Sequence, residues 1–401
     1  MTFCFIVFII SVKTDAVKTH RKKLLLSMPC IQERGTEMAE KFRIGIIGCG
    51  GIANGKHMPA LAAQPNAEMV AFCDIIVERA EAAKKQYGTP DAKVYEDYRK
   101  LLEDKSIDVV HVCTPNRMHS PITVAALEAG KHVMCEKPMA INSAEAKKML
   151  DAAKRSGKKL SIGYQNRQTP HALYLKKEAE DGTFGDIYFG KATAIRRRGV
   201  PTWGVFLNEY EQGGGPLIDI GTHALDLTLW VMNNYKPKYC VGTAYHKLNN
   251  LAPEDQGNGW GPWDPAKFTV EDSAFGFIVM ENGATIILES SWALNTTLNR
   301  EAVTSVCGTL GGGDMYDGVH INGVRNGRQY ILEPNMNCGG AAFFDGQGDD
   351  PAHIREARNW LKAIAEDKDP VVLPEQAFCV TRILEGIYES AKTGKPFYFD
   401  N

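Results

Sequence analysis

The chain has 401 residues, of which 44% are hydrophobic and 23% charged, with a formal net charge of -2. It is too long for one ordinary core and too apolar for a disordered protein, so two folded domains are expected. The near-neutral balance excludes global steering toward nucleic acid or an anionic membrane. The ten cysteines are scattered without a C-x-x-C pair, which argues against a disulfide framework or a metal site.

At residues 3–10 a short apolar run is followed, not preceded, by Lys18, Arg21, Lys22 and Lys23. A secretory signal has the opposite order, and the run is too short to cross a bilayer. The expectation is that Met38 begins the natural polypeptide, that residues 1–37 are an extension or a disordered tail, and that the protein is cytoplasmic.

A strand-like run at 42–47 flows into Gly48-Cys49-Gly50-Gly51-Ile52-Ala53, a Gly-x-Gly-x-x-Ala turn that opens a helix. Gly48 permits the tight turn, Gly50 lets the backbone approach a pyrophosphate, and Ala53 lets helix and strand pack closely. The N–H groups from Gly50 through Gly51 and Ile52 stand at the positive end of the helix dipole. A second apolar run ends in Asp74, where a carboxylate would hold ribose hydroxyls. No Arg or Lys follows Asp74 directly, so NAD is favoured over NADP.

Further strands are expected at 108–113, 131–135 and 159–163, with helices near 52–63, 77–87, 97–104, 119–129 and 143–156. This alternation is that of a doubly wound parallel sheet over 42–163, which binds ligand at the carboxyl ends of its strands. Beyond Gly163 the pattern changes. After a helix near 171–180, strand-like runs lie at 187–196, 238–246, 273–280, 284–292, 302–307, 315–321 and 328–332. The hairpin signal Glu281-Asn282-Gly283 joins two of them. A helix at 217–231 and two closing helices near 352–366 and 374–392 complete an α/β domain, 164–401, with an open, mainly antiparallel sheet. Two long loops, 249–265 and 334–351, are candidates for function or subunit contact.

Three segments could carry chemistry. In Cys113-Thr114-Pro115-Asn116-Arg117-Met118-His119, Thr114 and Asn116 can hydrogen-bond a ribose or a nicotinamide amide, and His119 lies near the helix start. In Cys135-Glu136-Lys137-Pro138, the Lys137 ammonium can polarise a carbonyl or assist deprotonation of an alcohol, with Glu136 tuning it. In Gly213-Gly214-Gly215-Pro216-Leu217-Ile218-Asp219-Ile220-Gly221-Thr222-His223, Asp219 and His223 lie four apart on one helix face. That pair could orient an imidazole for proton exchange, ligate a metal, or be structural.

Together, GIIGCGGIA, CTPNRMH, EKP and GGGPLIDIGTHALD, in this order, resemble the Gfo/Idh/MocA family of oxidoreductases from about Phe42 to near the C-terminus. The resemblance implies a Rossmann domain followed by a C-terminal α/β domain. It also implies NAD as cofactor, with hydride transfer between NAD(P) and a sugar, sugar derivative or cyclitol. By matching position, Lys137 is the catalytic lysine, His223 exchanges the hydroxyl proton and Asp219 orients it. Tyr164 and Arg167, in Gly163-Tyr164-Gln165-Asn166-Arg167, are candidate substrate contacts. Arg196-Arg197-Arg198-Gly199-Val200-Pro201-Thr202-Trp203, together with Gly261-Pro262-Trp263-Asp264, resembles members that oxidise glucosides at the sugar C3 hydroxyl. Trp203 is then a substrate contact. Alternatives within the resemblance are a redox-neutral glycosidase that keeps NAD bound, a cyclitol dehydrogenase, and a non-catalytic NAD-binding sensor. The open sheet face would make a dimer or tetramer surface.

Overall fold

Six short apolar runs of the N-terminal half pair side by side in a computed structural model that describes residues 41–336 and 350–400. They are β1 (Phe42–Ile47), β2 (Ala67–Cys73), β3 (Lys93–Tyr95), β4 (Val109–Val112), β5 (His132–Cys135) and β6 (Leu160–Ile162). All pairings are parallel, in the order β3-β2-β1-β4-β5-β6. The order reverses between β1 and β4, which places a ligand crevice outside their carboxyl ends.

The strands read as continuous apolar runs because helices cover both faces. The helices are α1 (Met58–Ala62), α2 (Val77–Tyr87), α3 (Tyr98–Glu103), α4 (His119–Glu128) and α5 (Ser143–Ser156). On one face Ile44, Ile46, Phe72 and Val109 pack with Leu61. On the other, Ile47, Val110 and Val133 pack with Leu127 and Met149. α5 begins where the Asn142 side chain accepts from the Glu145 N–H at 2.9 Å, and ends at the left-handed Gly157.

The second half opens with α6 (Pro170–Glu180), capped by Thr169, and then builds a nine-stranded sheet. In chain order its parts are β7 (Ile187–Ile195), α7 (Glu209–Gln212), α8 (Thr222–Met232), β8 (Pro237–Tyr245), α9 (Pro253–Gln256), β9 (Ser273–Met280) and β10 (Thr285–Ser291). Then follow β11 (Arg300–Gly308), β12 (Gly311–Asp314), β13 (His320–Arg325), β14 (Arg328–Leu332), α10 (Ala352–Ala365), α11 (Pro374–Thr393) and β15 (Phe397–Tyr398). The spatial order is β14-β13-β12-β11-β7-β10-β9-β8-β15, antiparallel except for β7 with β10. α8 and α11 bury one face of this sheet, and the core runs on through Ile278, Ile286 and Leu288 into the first half.

The structure departs from the sequence expectations in several places. The strand expected at 315–321 is displaced: 315–319 form the turn between β12 and β13, and β13 begins at His320. β3 and β15 were not anticipated, being only three and two residues long. α10 belongs to the second half in sequence, yet its Ala357, Trp360 and Leu361 pack in the core of the parallel sheet. The helix expected at 217–231 begins with a π turn, Leu217–Gly221. The proposed extension, 1–37, and most of the loop at 334–351 lie outside the described residues. Among the described residues no helix is long and apolar enough to cross a membrane.

Candidate active site

The turn after β1 is fixed by close approach. Gly48 has φ +89°, and a Cβ there would sit 2.5 Å from the Cys113 carbonyl oxygen. A Cβ at Gly50 or Gly51 would meet nothing within 4 Å, so the space above them is open. The chain then winds into a π turn, Ala53–His57, and on into α1. Asn54 Nδ2 donates to the carbonyls of Cys49 (2.7 Å) and Gly50 (2.9 Å), which steadies the turn.

Asp74, just beyond β2, accepts from the Cys49 N–H at 2.8 Å and from the Ile76 N–H at 2.9 Å. Its carboxylate therefore stands beside the glycine turn. The residues after it, Ile75, Ile76 and Val77, are exposed and apolar, with no cation to receive a 2′-phosphate. Thr114 Oγ1 is buried and has no hydrogen-bond partner. An open cradle over two glycines, a carboxylate one turn away and an orphaned hydroxyl at the end of β4 fit a dinucleotide. Gly50, Gly51 and Ile52 would hold its pyrophosphate, Asp74 its ribose, and Thr114 its nicotinamide end.

The catalytic candidates meet where β5 ends opposite the start of α8. Lys137 Nζ donates to Asp219 Oδ1 and to the Asp219 carbonyl oxygen, each at 2.9 Å. The other carboxylate oxygen of Asp219 accepts from Trp292 Nε1 at 3.0 Å. Burial would raise the Asp219 carboxyl, but the Lys137 charge and hydrogen bond hold it below its ordinary value. His223 Nδ1 is buried without a partner. Burial first, and then the Lys137 charge, push its imidazole down to about 3, against the raising effect of Asp219 and Glu136. The ring is therefore neutral at physiological pH.

Several expectations need correction. Asp219 does not hydrogen-bond Nδ1 of His223; both of its oxygens serve Lys137 and Trp292. Tyr164 is buried, bonded through its hydroxyl to Thr222 Oγ1 at 2.8 Å, and stands edge-on behind His223 at 6.1 Å between ring centroids. Arg167 is 0% exposed and forks onto Asp226 at 2.9 and 2.6 Å, with Val371 and Gln376 as further acceptors. Its guanidinium is locked inside the protein and is not free for substrate. His119 spends both ring nitrogens on carbonyl oxygens, Pro138 at 2.7 Å and Thr114 at 2.9 Å, so it braces two loops instead of touching cofactor. The Glu136 carboxylate is likewise engaged internally, by His57 and by the Lys137 N–H.

Asn116 Nδ2 reaches across to the Gln212 carbonyl at 3.0 Å, and Arg117 lies over the Tyr210 ring. These contacts pin α7, at the end of the segment 199–213, against the turn after β4. Trp203, on that segment, is 52% exposed and packs edge-on against Trp260 at 5.0 Å and Phe206 at 5.8 Å. Trp263 is core, with its Nε1 on the Asn249 carbonyl. Sequence reasoning missed Trp292 and His57, for nothing in their local pattern points to a site more than fifty residues away. Among the described residues no group of His, Cys, Asp and Glu could hold a metal ion.

A parallel sheet in this order, a glycine turn open to a dinucleotide and a Lys–Asp pair beside a neutral imidazole define an NAD-binding oxidoreductase. Residues 42–164 match the Gfo/Idh/MocA oxidoreductase family with its NAD-binding Rossmann fold, and residues 172–312 match the Gfo/Idh/MocA C-terminal domain. The chain is 35% identical to D-glucoside 3-dehydrogenase of Escherichia coli (strain K12), over 88% of this chain and 96% of that protein. It is 29% identical to levoglucosan dehydrogenase of Pseudarthrobacter phenanthrenivorans, over 63% of this chain and 68% of that one. Its fold superposes on the crystal structure of aldose-aldose oxidoreductase from Caulobacter crescentus with a TM-score of 0.71 and 25% identity, covering 90% of this chain and 100% of the other. The chain belongs to the Gfo/Idh/MocA family of oxidoreductases, and its cofactor is NAD.

Proposed function

We propose that the protein oxidises a hydroxyl of a pyranose sugar or glycoside, with the C3 hydroxyl of a glucoside as the substrate position. The observation that carries this reading is Lys137 Nζ held on Asp219 beside the neutral imidazole of His223, at the carboxyl end of the dinucleotide sheet. Bound NAD supplies the hydride acceptor. The substrate hydroxyl donates to the His223 imidazole, which is neutral and able to accept its proton. Lys137 donates to the same oxygen as negative charge develops there, and Asp219 holds the ammonium in place. Trp292 fixes the Asp219 carboxylate, and Tyr164 backs the imidazole. The glucoside assignment is supported by the likeness to D-glucoside 3-dehydrogenase over nearly its whole length. Trp203 and Trp260 offer half-exposed indole faces suited to a sugar ring or its substituent.

The test is nicotinamide absorbance on adding glucose, methyl and aryl glucosides, levoglucosan and myo-inositol to protein supplied with NAD. NADH appearing with glucosides and lost in Lys137→Ala is expected. Free aglycone without net NADH would favour the redox-neutral glycosidase, and NADH with inositol alone the cyclitol dehydrogenase.

The second half, 164–401, is the substrate-binding and oligomerisation part of this reading. The uncovered face of its sheet sets Val241 directly across from Phe277, and Phe277 across from Ile287, with Ile331 exposed further along. Such a row is suited to a second copy of the chain.

A further inference from the structure

The chemistry above uses Lys137 and His223 and leaves unexplained a file of buried polar groups directly behind them. Glu136 Oε2 accepts the backbone N–H of Lys137 at 3.0 Å, and Glu136 Oε1 lies 2.8 Å from His57 Nε2. His57 Nδ1 lies 2.9 Å from His111 Nδ1. All three side chains are buried, and His111 Nε2 has no partner. Burial would raise Glu136, but the His57 hydrogen bond and the charges around it hold the carboxyl down at about 2, so it is ionised. His111, wholly enclosed, is kept neutral by burial and by its neighbour His57.

The Glu136 charge fixes the hydrogen nearest it. An ionised Glu136 accepts from His57 Nε2–H, and one hydrogen is shared between His57 Nδ1 and His111 Nδ1. The same small cavity is lined by Lys56, Gln165, His353 and Glu356, from the first helix, the segment after β6 and α10. Lys56 Nζ is held by Gln165 Oε1 at 2.9 Å, and burial with Glu136 close by raises the Glu356 carboxyl above its ordinary value. Lys137 and His223 are the charged and titratable neighbours on the cleft side.

A buried carboxylate with two imidazoles is a costly way to fill space, since apolar side chains would need no desolvation. Its placement gives it a use. His57 closes the π turn Ala53–His57, which follows directly on the dinucleotide cradle at Gly50, Gly51 and Ile52, while Glu136 adjoins Lys137 at the end of β5, two strands away. We propose that His57 is a positioning residue: through Glu136 it fixes the Lys137 backbone relative to the cofactor turn, so that the ammonium and the dinucleotide keep one geometry. The proposal rests on the dehydrogenase reading for its catalytic consequence only.

The experiment compares wild type, His57→Ala and His57→Gln, since a glutamine can place an amide N–H where Nε2 stands. Three quantities are read: NADH affinity by fluorescence, kcat on the glucoside that wild type turns over, and amide hydrogen exchange at Lys137. In His57→Ala we expect kcat to fall about 10- to 100-fold, NADH affinity to stay within about threefold, and Lys137 exchange to quicken. His57→Gln restores both kcat and protection. Wild-type kcat in His57→Ala, failure of His57→Gln to restore it, or parallel loss of NADH affinity and melting temperature would each overturn the positioning role. If wild type turns over no sugar at all, the dehydrogenase reading fails. Lys137 exchange then decides the linkage alone, and unchanged protection in His57→Ala overturns it.

Discussion

Lys137 and Asp219 come from motifs 82 positions apart and meet through two 2.9 Å hydrogen bonds. Because Lys137 contacts the reacting oxygen in this account and not the dinucleotide cradle, Lys137→Ala should lower kcat about 10²- to 10⁴-fold while NADH binding by fluorescence stays near wild type. His223 yields a pH prediction. Its folded-state value near 3 lies below the ordinary 6.5, so the unfolded chain takes up a proton that the folded protein refuses. Its contribution to stability is therefore whole above about pH 6.5 and is lost progressively as pH falls toward 3. Urea midpoints measured across that window should fall in wild type and fall less in His223→Asn; identical slopes would contradict it. The residue types at both positions were legible in the sequence, as was their order. The partner of each was not, because Asp219 bonds Lys137 and Trp292 through space rather than His223 along its helix. Arg167 illustrates the same limit: an arginine beside the site reads alike whether it faces substrate or, as here, locks onto a buried Asp226.

Local pattern carried most of the elements of the first half, since parallel strands covered on both faces leave unbroken apolar runs between capped helices. It carried fewer in the second half. β12 is nearly all glycine because the Val306 carbonyl and the Leu175 and Phe184 side chains occupy the places where Cβ atoms of Gly312 and Gly313 would stand. A strand without side chains shows no period. The two π turns, Ala53–His57 and Leu217–Gly221, were also invisible to periodicity. Both lie at the site, one below the dinucleotide cradle and one carrying Asp219, as π turns inside helices often do. The second is anchored by Glu271, whose carboxyl group is hydrogen-bonded to the N–H groups of Gly215 and Leu217 and to the Tyr388 hydroxyl. The element most exposed to a single change is the first turn. Gly48→Ala must both adopt φ +89° and displace the Cys113 carbonyl, so NADH affinity should drop by at least about tenfold. Wild-type affinity in a folded Gly48→Ala protein would show that the cradle is built elsewhere.

Among the described residues the parallel sheet and the mainly antiparallel sheet meet at the Lys137–Asp219 contact, with α10 returning from late in the chain to close the first core. The outer face of the second sheet sets Val241 directly across from Phe277, both exposed among the described residues. Light scattering should find an oligomer of the full chain, and Phe277→Asp should shift it toward monomer without lowering NADH affinity; a wild-type monomer would contradict the assignment of that face. The central claim, that this cleft moves hydrogen from a sugar carbon to the nicotinamide, is tested most directly with a glucoside carrying deuterium at C3. Mass spectrometry of the reduced cofactor should show NADH heavier by one deuterium, with the matching 3-keto glycoside as product. Reduced cofactor that carries no label would contradict oxidation at C3, and absence of any reduced cofactor would contradict the dehydrogenase itself.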